Sequence, residues 1–386
     1  MLNATDFASV QDAVNSIPPG GGAVYVPRGV WTDTAVPRYS AVGSSTLTLP
    51  SDRPVRIMGD GPDATILRSG NSSQPIVTVP SDGSALERLT IESTAPLPGS
   101  GTPSRGILVG RTNQALKRFT TVDVTVRNTP GYGLYVRGKE GGETTLSIWG
   151  HHSRLRVVGN LSEGGVWIGP ACTTQVLLDC IVESFKGWGL KAQGAEGVTL
   201  NSCTFEDSLD HAQPYVALDN SNCVVLDRCW FESWGAADTQ YFIQVANIAR
   251  CIEVRSTHFI RNDSVSTAKV VTIDGFARGV LLVNLDVGLG VAPTGTDDVR
   301  IQNANSEVVL IGGAIAQPAN YNPLRIQGAT VLTSLLETNG RIRVPQAAGT
   351  GGLTDVANGD IVYNSSTSKL NIRVGGAWQG VSTTTP

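Results

Sequence analysis

Charge is scarce in this chain. Only 16% of its 386 residues are Asp, Glu, Lys or Arg, and the net charge at pH 7 is −4. That balance gives no general attraction to nucleic acid or to an anionic membrane surface. Long apolar runs are missing too, and none approaches the roughly 20 residues of a membrane span. The opening Met-Leu-Asn-Ala-Thr-Asp has neither a basic start nor an apolar stretch, so no Sec-type signal peptide is expected. A chain of this kind working outside a cell would get there by lysis, by another export route, or on a particle. No Cys-x-x-Cys occurs, which disfavours a zinc site. A Gly-rich phosphate loop between strand and helix is absent, and so is Gly-x-Ser-x-Gly.

What is present is a returning phrase. It reads Gly-Ile-Leu-Val at Gly106, Gly-Leu-Tyr-Val at Gly133, Gly-Val-Trp-Ile at Gly165 and Gly-Leu-Lys-Ala at Gly189. Looser copies begin at Tyr215, Phe242, Val271, Val299 and Leu324. The residue between the two apolar ones is Leu108, Tyr135, Trp167, Lys191, Ala217, Gln244, Thr272, Arg300 and Arg325, at intervals of 24 to 32 residues. Strands at that period, with no helical pattern between them, predict a parallel β-solenoid. Such a fold escapes the size limit of a single core, because each rung is buried on its neighbours.

Each rung reads as three strands. The second runs through Val176, Val198, Val224, Ile252, Val280 and Val308. A tight bend is expected at Asn201, Asp227, Arg255 and Asn284, since Asn and Asp tolerate left-handed backbone. The third strand carries a ladder of Phe205, Phe231 and Phe259. The loop back to the next first strand is longest and most varied, the place where a rigid scaffold usually carries function. Among the six cysteines, Cys203 pairs in position with Cys229, and Cys223 with Cys251, one rung on. The spacing predicts reduced, buried thiols in stacked interior ladders.

Ahead of the rungs, Phe7, Val10, Ala13, Val14 and Ile17 have helical spacing, stopped by Pro18. A strand follows over residues 23–31. A helix there would cover the open strand edges at the end of a solenoid. The domain plan is therefore a cap helix and first strand over 1–32, a β-helix over 33–344, a linker over 345–353 and a C-terminal β-module over 354–386. Within the last, alternation across residues 359–378 predicts a β-hairpin, too small to stand alone.

The helix, Gly-rich turn and Val-Tyr-Val-Pro-x-Gly strand at residues 24–29 resemble the start of the pectate-lyase-like superfamily of right-handed parallel β-helices, which includes bacteriophage tailspike depolymerases. Val55-Arg-Ile-Met-Gly-Asp-Gly resembles an early rung of that group. The C-terminal Gly-Asp-x-x-Tyr-Asn, Lys-Leu and Gly-Gly-x-Trp resemble a small module of phage tail-fibre and tailspike proteins. The resemblance implies an all-β fold, a homotrimer, attachment to a phage particle and a surface polysaccharide as substrate or receptor. The protein would then act on a virion surface, or outside the cell after lysis.

Alternation turns two residue columns of the first strands outward. One is Leu108 to Arg325 above. The other is Gly110, Arg137, Gly169, Gln193, Asp219, Ala246, Asp274, Gln302 and Gln327. Tyr135 and Trp167 offer flat faces for sugar rings, and Arg137, Lys191, Gln193, Gln244 and Gln302 offer hydrogen bonds. They could equally be ordinary residues of an exposed β-surface. Asp219 and Asp274 share a column two rungs apart, roughly 9.6 Å at about 4.8 Å per rung. Inverting glycosidases space their carboxyls about 6.5–9.5 Å apart, so the pair suits acid and base in hydrolysis. Asp219-Asn220 and Asp274-Gly275 are also turn dipeptides. Asp207 and Asp210, with Glu206 and His211, could supply the acid or base beside Asp219, or bind Ca²⁺ through oxygen; no calcium-loop spacing is present, and no cofactor is expected. A lyase would need a base and a cation near a uronate, and Lys191, Arg137 or His211 could act. A spike that only adheres to sugar is the remaining possibility.

Overall fold

Successive short strands wind this chain into a parallel β-solenoid. The computed structural model describes residues 1–35, 38–41, 44–98, 102–141, 146–159, 162–209, 213–233, 241–261, 269–289, 297–301, 306–315, 322–326, 346–347, 361–364, 369–374 and 376–381. Two compact units emerge, Met1–Ser334 and Leu335–Pro386.

In the first unit, one strand per rung joins an 11-stranded parallel sheet, termed here the first face. It ascends from Leu47–Thr48 and Val77–Val79 through the nine repeat copies to Asn322–Ile326. The first two of these strands precede the recognisable phrase. Each copy pairs in register with the next: Leu108 with Tyr135, Tyr135 with Trp167, Trp167 with Lys191, and onward to Arg300 with Arg325. The second and third strands of the rungs form one 20-stranded sheet that bends between them.

The interior is apolar and continuous along the stack. Phe205, Phe231 and Phe259 are fully buried, with ring centroids 5.2 and 5.1 Å apart and planes within 14°. The glycine that opens the phrase makes room for this ladder. A Cβ at Gly189 would meet the Phe185 ring at 3.0 Å and the Phe205 ring at 3.1 Å.

The bend between second and third strands is left-handed, one residue later than expected at three rungs. Ser202, Arg228 and Ser256 have φ of 53°, 54° and 49°, whereas Asn201, Asp227 and Arg255 are still in strands; Asn284 is at 48°. The ladder of bonds fixes the position. Ser202 N–H reaches Asp227 O on the next rung at 2.9 Å, so the turn forms where the rung above offers a carbonyl. That demand outweighs the local preference for Asn or Asp.

The N-terminal helix is Val10–Asn15, shorter than its apolar spacing suggested. Ser9 caps it, accepting from Asp12 N–H and donating to the Asp12 carboxylate at 2.7 Å. Val10, Ala13 and Val14 face the core. The cap closes the sheet edge through one side chain. Gln11 donates to Thr48 O and accepts from Thr48 N–H, both at 2.8 Å, as a neighbouring strand would.

In the second unit, Ile361–Asn364 pairs antiparallel with Lys369–Val374, which pairs in turn with Ala377–Val381. The expected hairpin therefore gains a third strand, and Gln346–Ala347, within the expected linker, pairs parallel with Tyr363 and Asn364 as a fourth. Among the described residues, no helix is long and apolar enough to cross a membrane.

Candidate carbohydrate-binding face

The first face brings most of the sequence-derived candidates onto one wall, but it dresses them unevenly. Towards the N-terminal end, Tyr135 stacks on Trp167 with centroids 5.8 Å apart and planes within 5°. The Arg105 guanidinium lies 3.4 Å over the same Tyr135 ring, from the preceding rung. The Tyr135 hydroxyl donates to Glu140. Only 6% of Tyr135 is exposed. Tyr135 thus departs from the expectation of an open platform, because Trp167 and Arg105 cover its ring. Tyr132 packs against both, 5.8 Å from Tyr135 and 5.6 Å from Trp167.

Trp167 remains half-buried and is shared with Lys191, whose Nζ is 5.2 Å from the Trp167 ring and 4.1 Å from Trp188. Partial burial lowers the pKa of Lys191, and the charge of Asp219 on the next rung acts the other way. An ammonium held between two indoles and facing a carboxylate is a fixed cationic point on this wall. Arg137 and Gln193 are also half-buried, and Gln193 pairs in register with Asp219.

Asp219 and Asp274 sit two rungs apart in one column, with Ala246 between them. Each carboxylate is held by one side chain of its own rung and one of a neighbouring rung. Asp219 Oδ1 accepts from Asn220 Nδ2 and from Asn247 Nδ2. Asp274 Oδ2 accepts from Gln244 Nε2 at 2.7 Å, and its Oδ1 from the Thr272 hydroxyl at 2.7 Å. Gln244 therefore serves Asp274 rather than standing free on the wall.

Asp207 is elsewhere. It lies in strand Thr204–Ser208 of the 20-stranded sheet, at φ 56°, and accepts from the Ser184 hydroxyl at 2.7 Å. Asp219 ends the next first-face strand, Val216–Asp219. Asp207 precedes that strand and Asp219 is its last residue, so the two stand at opposite ends of the first-face strand. Asp210, His211 and Gln302 lie outside the described residues. Glu206 and Glu183 stack on the third strands, with Glu232 on the rung above. Burial, a hydrogen bond with Glu183 and the surrounding negative charge push the Glu206 carboxyl up to about 7. Among the described residues, no group of three or more His, Cys, Asp or Glu could hold a metal ion.

Four residues of the aromatic cluster escaped the sequence reading: Arg105, Tyr132, Glu163 and Trp188. Their signal was available, since Arg105, Tyr132 and Trp188 each immediately precede the glycine of a repeat copy. Glu163 stands just before the Gly-Gly of its rung. Burial raises its pKa, against the charge of Arg105 and a hydrogen bond from the Tyr132 backbone. Its Oε2 is buried without a hydrogen-bond partner.

No family model matches this chain, and no curated protein matches it. Solved structures do. One is ORF18 of Geobacillus virus E2, at 14% identity and TM-score 0.51, covering 99% of this chain and 86% of that one. Another is the full-length tailspike protein 2 from Escherichia coli O157:H7 bacteriophage CAB120, at 14% identity and TM-score 0.56, covering 87% of this chain and 45% of that one. A third is PfbA, a surface adhesin of Streptococcus pneumoniae, at 10% identity and TM-score 0.52, covering 99% and 100%. At such identities the likeness is one of fold: the parallel β-helix of phage tailspike and surface proteins.

Proposed function

We propose that this protein binds a cell-surface polysaccharide along its first face and cleaves it by hydrolysis. One observation carries the reading. Trp167, Lys191, Gln193, Asp219 and Asp274 follow one another up a single half-buried wall, with only Ala246 between the two carboxylates. A chain of sugars lying along the stack would meet an aromatic and cationic region first and two carboxylates next. The carboxylate backbones stand roughly 9.6 Å apart, near the range for acid and base on opposite sides of a water-filled gap. Ala246 leaves the gap open. The fold's likeness to a phage tailspike supports a place on a virion surface, and the sequence's resemblance to tailspike depolymerases implies a homotrimeric assembly; both are parts of this proposal.

A binding-only spike is the second reading, and a specific observation favours it. Each carboxylate is already held by two side-chain donors. The experiment is incubation with a panel of bacterial surface polysaccharides, following reducing ends and ultraviolet absorbance. New reducing ends without absorbance support the hydrolase. Absorbance with them means a lyase instead, and binding with neither supports the adhesin.

A further inference from the structure

Six cysteines are reduced in this structure, and they fall into two environments. Cys172, Cys180, Cys203 and Cys229 are buried. Cys223 and Cys251 are exposed, contrary to the interior ladder that their spacing suggested. Their backbone explains the difference. Cys223 has φ 54° and Cys251 has φ 53°, so each interrupts the strict alternation of its strand and turns outward. Val224 and Ile252, the next residues, return to the core.

The two cysteines are aligned. Asn222 pairs with Arg250 and Val224 with Ile252, which sets Cys223 directly beneath Cys251 on adjacent rungs. The same left-handed position is Gly197 one rung below and Gly279 one rung above, at φ 67° and 65°. Neither glycine has a side chain to cover the thiols. Rungs about 4.8 Å apart place the Cα atoms inside the 4.4–6.8 Å window of a disulfide. Equal backbone angles make the two Cα–Cβ bonds parallel, so the Cβ atoms stand at about the same spacing and must close by a few tenths of an ångström to reach the usual range of about 3.5–4.5 Å. Contact between the thiols is felt electrostatically. Partial desolvation, then the neighbouring Cys251, raise the Cys223 thiol above its usual value.

We propose that Cys223 and Cys251 are a site of oxidation, closed by a small-molecule disulfide into a cross-rung disulfide on the outer surface of the coil. The Cys251 thiolate attacks one sulfur of the oxidant, forming a mixed disulfide and releasing one small thiolate. The Cys223 thiolate then attacks the Cys251 sulfur of that mixed disulfide, forming the protein disulfide and releasing the second. The two cysteine protons end on the two released thiolates. The protein gives up two electrons and the oxidant becomes two thiols. A chain made in a reducing cytosol and released outside would meet such an oxidant only after release. The bond would then fasten one rung to the next without touching the first face.

The test uses the intact protein, incubated with glutathione disulfide under native conditions and mapped by peptide mass spectrometry. The expected result is one linked peptide joining Cys223 to Cys251, with Cys172, Cys180, Cys203 and Cys229 still free. Single Cys223→Ser and Cys251→Ser variants should each keep a glutathione adduct on the remaining exposed thiol, because the resolving thiol is gone. Oxidation should also raise the melting temperature of the wild type and leave Cys223→Ser unchanged. The proposal is overturned by stable glutathione adducts on both residues of the wild type, by a covalent link between two copies, or by two thiols that stay free while small-molecule thiols are oxidised beside them.

Discussion

Asp219 and Asp274 owe their alignment to backbone register, and each accepts one side-chain hydrogen bond from its own rung and one from a neighbouring rung. If they are acid and base, Asp219→Asn or Asp274→Asn should each lower polysaccharide cleavage by about 10²-fold or more while sugar binding persists. Reducing-end assays beside a binding isotherm measure both. Unchanged cleavage in the double variant would remove the pair from the mechanism. Glu206 gives a separate residue-scale expectation. Its carboxyl is raised in the folded protein to about 7, above its ordinary value of 4.5. The neutral form is favoured by folding, so the associated stability is present below about pH 4.5 and is lost as pH rises through about 7. Glu206 is partly exposed, so solvent screening keeps the effect small, roughly a degree or two in melting temperature between pH 5 and 8. Glu206→Gln should flatten that decline. A scan in which the variant falls as steeply as the wild type would assign the pH dependence to other groups.

Two elements hold the solenoid together by different means. The interior Phe ladder works by close packing. Phe231 touches Phe205, Phe242 and Phe259 and has no exposure. Phe231→Ala should cost about 3–5 kcal/mol, and Phe231→Leu clearly less, since part of the cavity is refilled. Denaturant midpoints at constant slope are the measure. The cap works by satisfying an edge. Gln11 supplies both a donor and an acceptor to Thr48. Gln11→Leu should leave both backbone groups without that partner and cost about 1–3 kcal/mol. Hydrogen exchange at the Thr48 amide would rise in the variant if the side chain is what protects it. A Thr48 amide exchanging equally slowly in both proteins would mean that other atoms close this edge.

At the scale of the whole molecule, the proposed trimer has a direct measure. Sedimentation should give three times the chain mass of 40.6 kDa, and a single-chain mass across the working concentration range would overturn it. What the sequence alone determined is periodic and local. The apolar, variable, apolar phrase dictated the strands of the first face, their register and the two outward columns, because side-chain alternation is a property of the backbone itself. Fold and rung order were therefore legible from Leu108 to Arg325 without any coordinates. Tertiary structure decided which outward residues stay accessible. Tyr135, Ala217 and Thr272 occupy outward positions yet are 6%, 3% and 0% exposed. Trp167 and Arg105 cover the Tyr135 ring, and no alternation rule carries that information. The same holds for Cys223 and Cys251, turned outward by a left-handed residue that the stacking of rungs imposes. Periodicity could set which residues lie above one another. Only the packed coil, with each rung supplying partners to the next, could set which of them meet solvent.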